Sequence, residues 1–235
     1  MIIGILQADS VLAPFQKAHG NYPEMFRNLL GAVNLPDQVE FRTYDVEHGV
    51  YPDSDDECDA YLITGSRASV YEARAWIRDL QAYALILHRA KKKLVGICFG
   101  HQLIAAALGG KTEDSHKGWG VGVHTSKVVR AQPFMTPALV QFSLLVSHKD
   151  QVTLLPEGAE LLATSDFCPN AMFSVDKHIL AMQGHPEFCK AYASDLMESR
   201  SELLGEALQP AIASLAVETD EKQVAEWIMK FILSD

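Results

Sequence analysis

Residues 96–102 read GICFGHQ, a cysteine, Cys98, between the glycines Gly96 and Gly100, with apolar runs on both sides. KKKLVGICF predicts the strand that runs into it, and GHQLIAAALGG predicts a short helix stopped by glycines. The spacing G-x-C-x-G then puts Cys98 at a sharp strand-to-helix corner. Packing alone satisfies such a stretch, because cysteine is often fully buried and glycines are common in tight turns. A second reading makes Cys98 a nucleophile. The glycines relieve contacts that a Cβ would make at a crowded turn, and the corner lifts the sulfur to the carboxyl end of a sheet, where α/β folds bind ligands. Free amides and the positive end of the helix dipole there stabilise a thiolate, and the Phe99 amide is suited to hold an oxyanion. The stretch by itself leaves both readings open.

Outward from the corner, strand and helix patterns alternate through the first half. MIIGIL, VEFRTYDV and DAYLITGS have strand character, whereas HGNYPEMFRNLLGAV and ARAWIRDLQAYALILHRA carry helical spacing, the latter with Trp76, Ile77, Leu80, Ala84 and Leu87 on one face. This pattern predicts an α/β fold with an open, mostly parallel sheet flanked by helices. The second half is richer in strands: GVGVHTSKVV, FSLLVSH, AELLATS, AMFSVD and HILAMQG are short runs divided by turn residues, expected as an antiparallel extension at the edge of the main sheet. SRSELLGEALQPAIASLAVETDEK is helix-prone and expected to break at Pro210. The chain closes on a helix whose stripe of Val224, Trp227, Ile228, Phe231 and Ile232 reads as core packing. With no repeat, low-complexity tract or linker, residues 1–235 are expected to form one domain.

Composition narrows the function classes. Of 235 residues 48% are apolar, enough for a full core, and 20 basic against 30 acidic residues leave a formal charge of -10. That balance opposes nonspecific binding to nucleic acid or to an anionic membrane surface. The four cysteines (Cys58, Cys98, Cys168 and Cys189) form no C-x-x-C pair or zinc-ligand spacing. With no signal-peptide pattern and no membrane-length apolar run, a cytoplasmic location is expected.

A nucleophilic cysteine needs a base, and the base an orienting acceptor. There are nine histidines, so the segment AMQGHPEF matters more than the count. His185 follows a strand candidate and a glycine, Pro186 fixes the turn, and Glu187 is placed to hold the imidazole tautomer. The tripeptide H-P-E alone also fits an exposed charged turn. Two such segments, each at the end of a sheet strand, favour the catalytic reading.

Taken together, GICFGHQLIAAALGG and GHPE, with the spacing from Cys98 to His185, resemble the class I (triad-type) glutamine amidotransferase family, and within it the stand-alone, GMP-synthase-like branch. The resemblance runs from MIIGIL through TGS, KGWGVG and VSHKDQV to GHPE. It implies a flavodoxin-like sheet, Cys98 as nucleophile, His185 as general base and acid, and Glu187 as its orienting partner. Gly65 and Ser66 match the loop whose backbone amide completes an oxyanion hole with Phe99. Gln102 matches a glutamine-contacting position, and the S-H-x-D segment implies that His148 and Asp150 face the substrate, although His148 fits a satisfied strand-end histidine equally well. One departure stands out. The family loop commonly continues into proline where this chain has Arg67, which frees the backbone and adds a charge that either attracts a substrate carboxylate or projects into water.

The implied chemistry is attack of Cys98 on the γ-carboxamide of glutamine, loss of ammonia through a γ-glutamyl thioester, and hydrolysis to glutamate, with no metal or organic cofactor. No G-x-x-x-x-G-K-[ST] loop is present. Either a separate synthase subunit accepts the ammonia, or the enzyme works alone on another γ-glutamyl compound as a peptidase or amide hydrolase. A third reading keeps the fold as a non-catalytic binding or regulatory module, and the presence of all three triad residues argues against it. In the other α/β family with a cysteine elbow a different partner arrangement is expected, and the downstream GHPE pair speaks for the amidotransferases.

Overall fold

Ile3 and Ile5 of strand β1 (Ile2–Gln7) enter one apolar core and Leu6 enters another, so this strand is buried on both faces, as a central parallel strand must be. The same split holds in β3 (Ala60–Ile63), where Ala60 and Leu62 face the first core and Tyr61 and Ile63 the second. It recurs in β4 (Lys93–Ile97), where Val95 and Ile97 oppose Leu94. The computed structural model describes residues 1–34 and 38–234. The expected domain, 1–235, also contains residues 35–37 and 235, which lie outside the described ones.

The chain begins β1, α1 (Ala13–His19), α2 (Tyr22–Gly31), β2 (Glu40–Asp45), β3, α3 (Ala75–Arg89), β4 and α4 (Phe99–Ala107). It continues through β5 (Lys111–Asp114), β6 (Gly120–Val128), β7 (Gln141–His148), β8 (Asp150–Leu154), β9 (Ala159–Thr164), β10 (Met172–Val175) and β11 (Ile179–Met182). It closes with α5 (Lys190–Ser199), α6 (Ser201–Leu204), α7 (Leu208–Ser214) and α8 (Glu221–Leu233). Nine strands form one sheet in the order β2-β1-β3-β4-β11-β10-β9-β6-β7, and β5 pairs with β8 in a separate ribbon. The five from β2 to β11 are parallel; from β11 to β7 every pairing is antiparallel. Helices α2 and α8 cover one face of the parallel half, and α3 and α4 the other.

The α/β reading and its antiparallel extension hold, with two corrections. The segment HILAMQG is no edge addition: β11 lies in the parallel array beside β4, with Met182 opposite Ile97. All four of its residues are buried, which suits an interior strand better than an edge. Pro210 does not break a helix either. It sits in the first turn of α7, where its missing N–H has no intrahelical partner to lose, and the chain instead bends at Gly205, φ +51°. The stripe on α8 is core, with Trp227 fully buried and its Nε1–H donating to the Pro137 carbonyl at 3.0 Å.

Local signals explain where elements start. Asn21 caps α2: its side chain accepts from the Tyr22 N–H, while Glu24 accepts from the Asn21 N–H at 2.8 Å. Such reciprocal caps contribute about 1 kcal/mol. Neither α1 nor the β5–β8 ribbon was foreseen, because each is short and mixes polar with apolar residues.

Candidate active site

Two neighbouring parallel strands, β4 and β11, end side by side, and the chain past each end carries one of the two expected catalytic side chains. At the end of β4 the backbone turns through Cys98, which has φ +52° and ψ -99° and directly precedes α4. Positive φ is costly for a residue with a side chain and persists where the surroundings enforce it. Here the Cys98 N–H is held by the Met182 carbonyl of β11 at 2.9 Å. The flanking glycines are a matter of space. A Cβ on Gly96 would lie 2.6 Å from the Gly100 carbonyl oxygen, and one on Gly100 would lie 2.5 Å from that of Ile63. Both obstacles are backbone, so neither can move aside.

From the end of β11 the chain passes Gln183 and Gly184 to His185, whose N–H donates to the Leu145 carbonyl of β7 at 2.8 Å. The His185 Nδ1 lies 2.7 Å from Glu187 Oε1, and both side chains are buried. Burial alone would push this imidazole down. The Glu187 carboxylate and the Cys98 sulfur outweigh it and raise the value to about 10, so the ring is held protonated. Phe188 stacks on the imidazole with ring centroids 3.9 Å apart and planes 10° from parallel.

The loop after β3 closes against this pair. A Cβ on Gly65 would come within 2.9 Å of His185 Cε1 and 3.7 Å of Cys98 Cβ, so only glycine lets that backbone approach. Among the described residues the N–H groups of Gly65, Ser66 and Phe99 make no hydrogen bond, leaving three donors at the corner. Arg67, which stands where the family loop commonly has proline, is half exposed but not free. Its backbone N–H and Nε both donate to Asp9 Oδ2 at 2.8 Å, and its Nη2 donates to Oδ1 at 2.6 Å. Asp9 is buried at the end of β1. Burial favours its neutral form, yet these bonds outweigh that and lower its value. An ion pair fixes the loop here, and the arginine's charge is already neutralised.

Gln102 and Asp150 meet through backbone: the Gln102 amide donates to the Asp150 carbonyl at 2.8 Å and to Gln183 Oε1 at 3.1 Å. Gln183 in turn donates to Cys98 Sγ at 3.4 Å. The His148 Nδ1 donates to the same Asp150 carbonyl at 3.0 Å, and burial pushes that ring down to about 3, so it stays neutral with Nε2 unpartnered among the described residues. The Asp150 carboxylate accepts from Tyr71 at 2.9 Å. All the expected residues except Glu187 and Phe99 line one cavity of about 510 Å³; those two stand behind His185 and within the corner.

Sequence reasoning missed Gln183, Asp9, Tyr71 and Phe188. Gln183 and Asp9 carried a signal: each is a polar residue just past a buried strand, where the carboxyl end of the sheet collects ligand-binding groups. Phe188 and Tyr71 carried none, since an aromatic beside a charged turn is ordinary.

The arrangement is one that can attack a carbonyl carbon and protonate a leaving nitrogen. The family model of class-I glutamine amidotransferases matches residues 24–198. Gamma-glutamyl peptidase 3 of Arabidopsis thaliana is 31% identical over 191 residues, covering 78% of this chain and 75% of that one. A glutamine-hydrolysing GMP synthase of Cupriavidus taiwanensis is 36% identical over 136 residues, 54% of this chain but only 24% of the synthase. Among solved structures, a glutamine amidotransferase of Thermotoga maritima superposes with TM-score 0.75 at 16% identity, over 98% of this chain and 96% of that one, a likeness of fold. With the family model spanning most of its length, the chain belongs to the class I glutamine amidotransferases.

Proposed function

We propose that the protein hydrolyses the γ-amide bond of glutamine or of a larger γ-glutamyl compound through a thioester on Cys98. The observation that carries this is the pairing of a cysteine at a positive-φ corner with a protonated, Glu187-oriented His185. The Cys98 thiolate adds to the γ-carbonyl carbon, and the oxyanion is received by the Phe99 N–H with that of Gly65 or Ser66. Collapse breaks the C–N bond, and His185 gives its proton to the departing nitrogen. The neutral imidazole then takes a proton from water, whose oxygen attacks the thioester; glutamate leaves and the thiolate is restored. Glu187 keeps the ring in the tautomer that faces Cys98. Gln102 and Gln183 position the sulfur and the Asp150 segment, and His148 and Asp150 face the substrate. No step uses a metal or organic cofactor.

A second reading concerns the leaving group. A cavity of about 510 Å³ lies in the range that holds ligands of drug size, more than ammonia requires, and relatives carry the name gamma-glutamyl peptidase. This favours a γ-glutamyl peptide or amide, needing no ammonia-accepting synthase subunit, over free glutamine. The four free thiols suit a reducing compartment, and we assign the chain to the cytoplasm on that ground. Release of glutamate from glutamine and from γ-glutamyl peptides, compared between the intact protein and Cys98→Ala, tests the proposal. Release lost in the variant is expected. Equal release from both proteins would refute it.

A further inference from the structure

The cations around the cleft are not equivalent. Arg67 is committed to buried Asp9, and Lys149 pairs with Asp114 at 2.9 Å. Arg200, at the carboxyl end of α5, also lines the cavity, and no carboxylate lies within ion-pair reach of it among the described residues. Among the described residues its side chain makes one hydrogen bond, from Nη1 to Ser147 Oγ at 3.3 Å, so most of the five donors of its guanidinium have no protein acceptor. In a chain with a ten-charge excess of acids, the one arginine of the cleft that lacks an acid is suited to receive one from a ligand.

Its position says which part of a ligand. Ser147 lies two residues along β7 from Leu145, the residue bridged to His185, a distance of about 7 Å on an extended strand. Arg200 is thus anchored on the strand that also holds the His185 backbone, while Gln102 and Tyr71 are tied to Asp150. The nitrogen that leaves must be next to the imidazole that protonates it. The same cavity is lined by the apolar side chains of Phe188, Leu196, Leu203 and Trp119.

We propose that Arg200 is the carboxylate-binding residue of a leaving-group subsite, and that the preferred substrates are γ-glutamyl peptides with a free C-terminal carboxylate one or two residues beyond the scissile bond. This rests on the reading of Cys98 as the nucleophile for γ-glutamyl amides. A guanidinium matches a carboxylate fork to fork, and the apolar wall accommodates side chains of the leaving peptide.

The test compares γ-glutamyl-alanyl-glycine, the same peptide with a C-terminal amide, and glutamine, each with the intact protein and with Arg200→Gln. Loss of a charged hydrogen bond is expected to lower kcat/KM for the free acid by roughly 10- to 100-fold, with the amide and glutamine changed less than about twofold. An equal loss on all three substrates, or no loss on the acid, overturns the proposal. Affinity for the acid and the amide, measured by calorimetry on Cys98→Ala with and without Arg200→Gln, separates the subsite from the chemistry. If the intact protein cleaves none of the three, the hydrolase reading falls, and an Arg200-dependent preference for the acid in binding would still establish the subsite. Absence of that preference would remove the subsite as well.

Discussion

At the scale of single residues, the site depends on one buried proton. His185 sits where burial would strip that proton, and Glu187, 2.7 Å from its Nδ1, is the largest influence keeping it. The ring is therefore charged below a pKa of about 10 and able to act as the acid for an amine leaving group at neutral pH. Glu187→Gln keeps the shape and removes the charge. The sign follows directly: with less stabilisation of the imidazolium its pKa falls, and the alkaline limb of kcat/KM, where the acid form is lost, moves to lower pH. The rate at neutral pH is expected to drop by about a hundredfold or more. A pH–rate profile of both proteins checks this, and an unmoved alkaline limb would show that Glu187 does not tune the ring. The pairing was legible in the residues GHPE because the two side chains are close in sequence. Gln183, which touches the sulfur from the neighbouring strand, was not, since that contact exists only once β11 lies beside β4.

At the scale of elements, the proposed mechanism requires the loop after β3 to be stiff enough to aim its amides. Proline would stiffen it through the chain itself; Arg67 does so through buried Asp9 by three hydrogen bonds, one of them from its backbone N–H. Asp9→Asn removes the ion pair at little change in size. It is expected to lower kcat about tenfold while leaving KM within about threefold, because the loss falls on transition-state amides. Steady-state kinetics separates the two, and a change confined to KM would argue against a role in the oxyanion loop. The sequence exposed Arg67 as a departure but not its partner, which lies 58 positions away and is brought near only by the parallel pairing of β1 with β3. The misplacement of β11 has a related cause. A four-residue apolar run is equally compatible with an interior parallel strand and with an edge hairpin, and sequence spacing does not choose between them.

At the scale of the whole molecule, the parallel half supplies both the core and the site. β4 and β11 carry Cys98 and His185 on their ends, and α8 closes the face beneath them, with Trp227 fully buried among Phe142, Phe231 and neighbours. Trp227→Ala empties the largest buried side chain of that layer and is expected to cost about 4 kcal/mol, read as a lower denaturant midpoint. A loss under 1 kcal/mol would mean that α8 is not part of the core. The alternation of strands and helices made this architecture legible, since each buried strand is a continuous apolar run and each covering helix carries a stripe. The short ribbon of β5 and β8 has neither. The proposed hydrolysis turns on the sulfur at the end of β4, and the most direct measurement is made on that atom. The protein is mixed with a γ-glutamyl peptide, quenched in acid within one turnover, and mapped by peptide mass spectrometry. The account expects one γ-glutamyl group, in thioester linkage, on the peptide carrying Cys98, with neither adduct nor hydrolysis in Cys98→Ala. Undiminished hydrolysis by Cys98→Ala would contradict it.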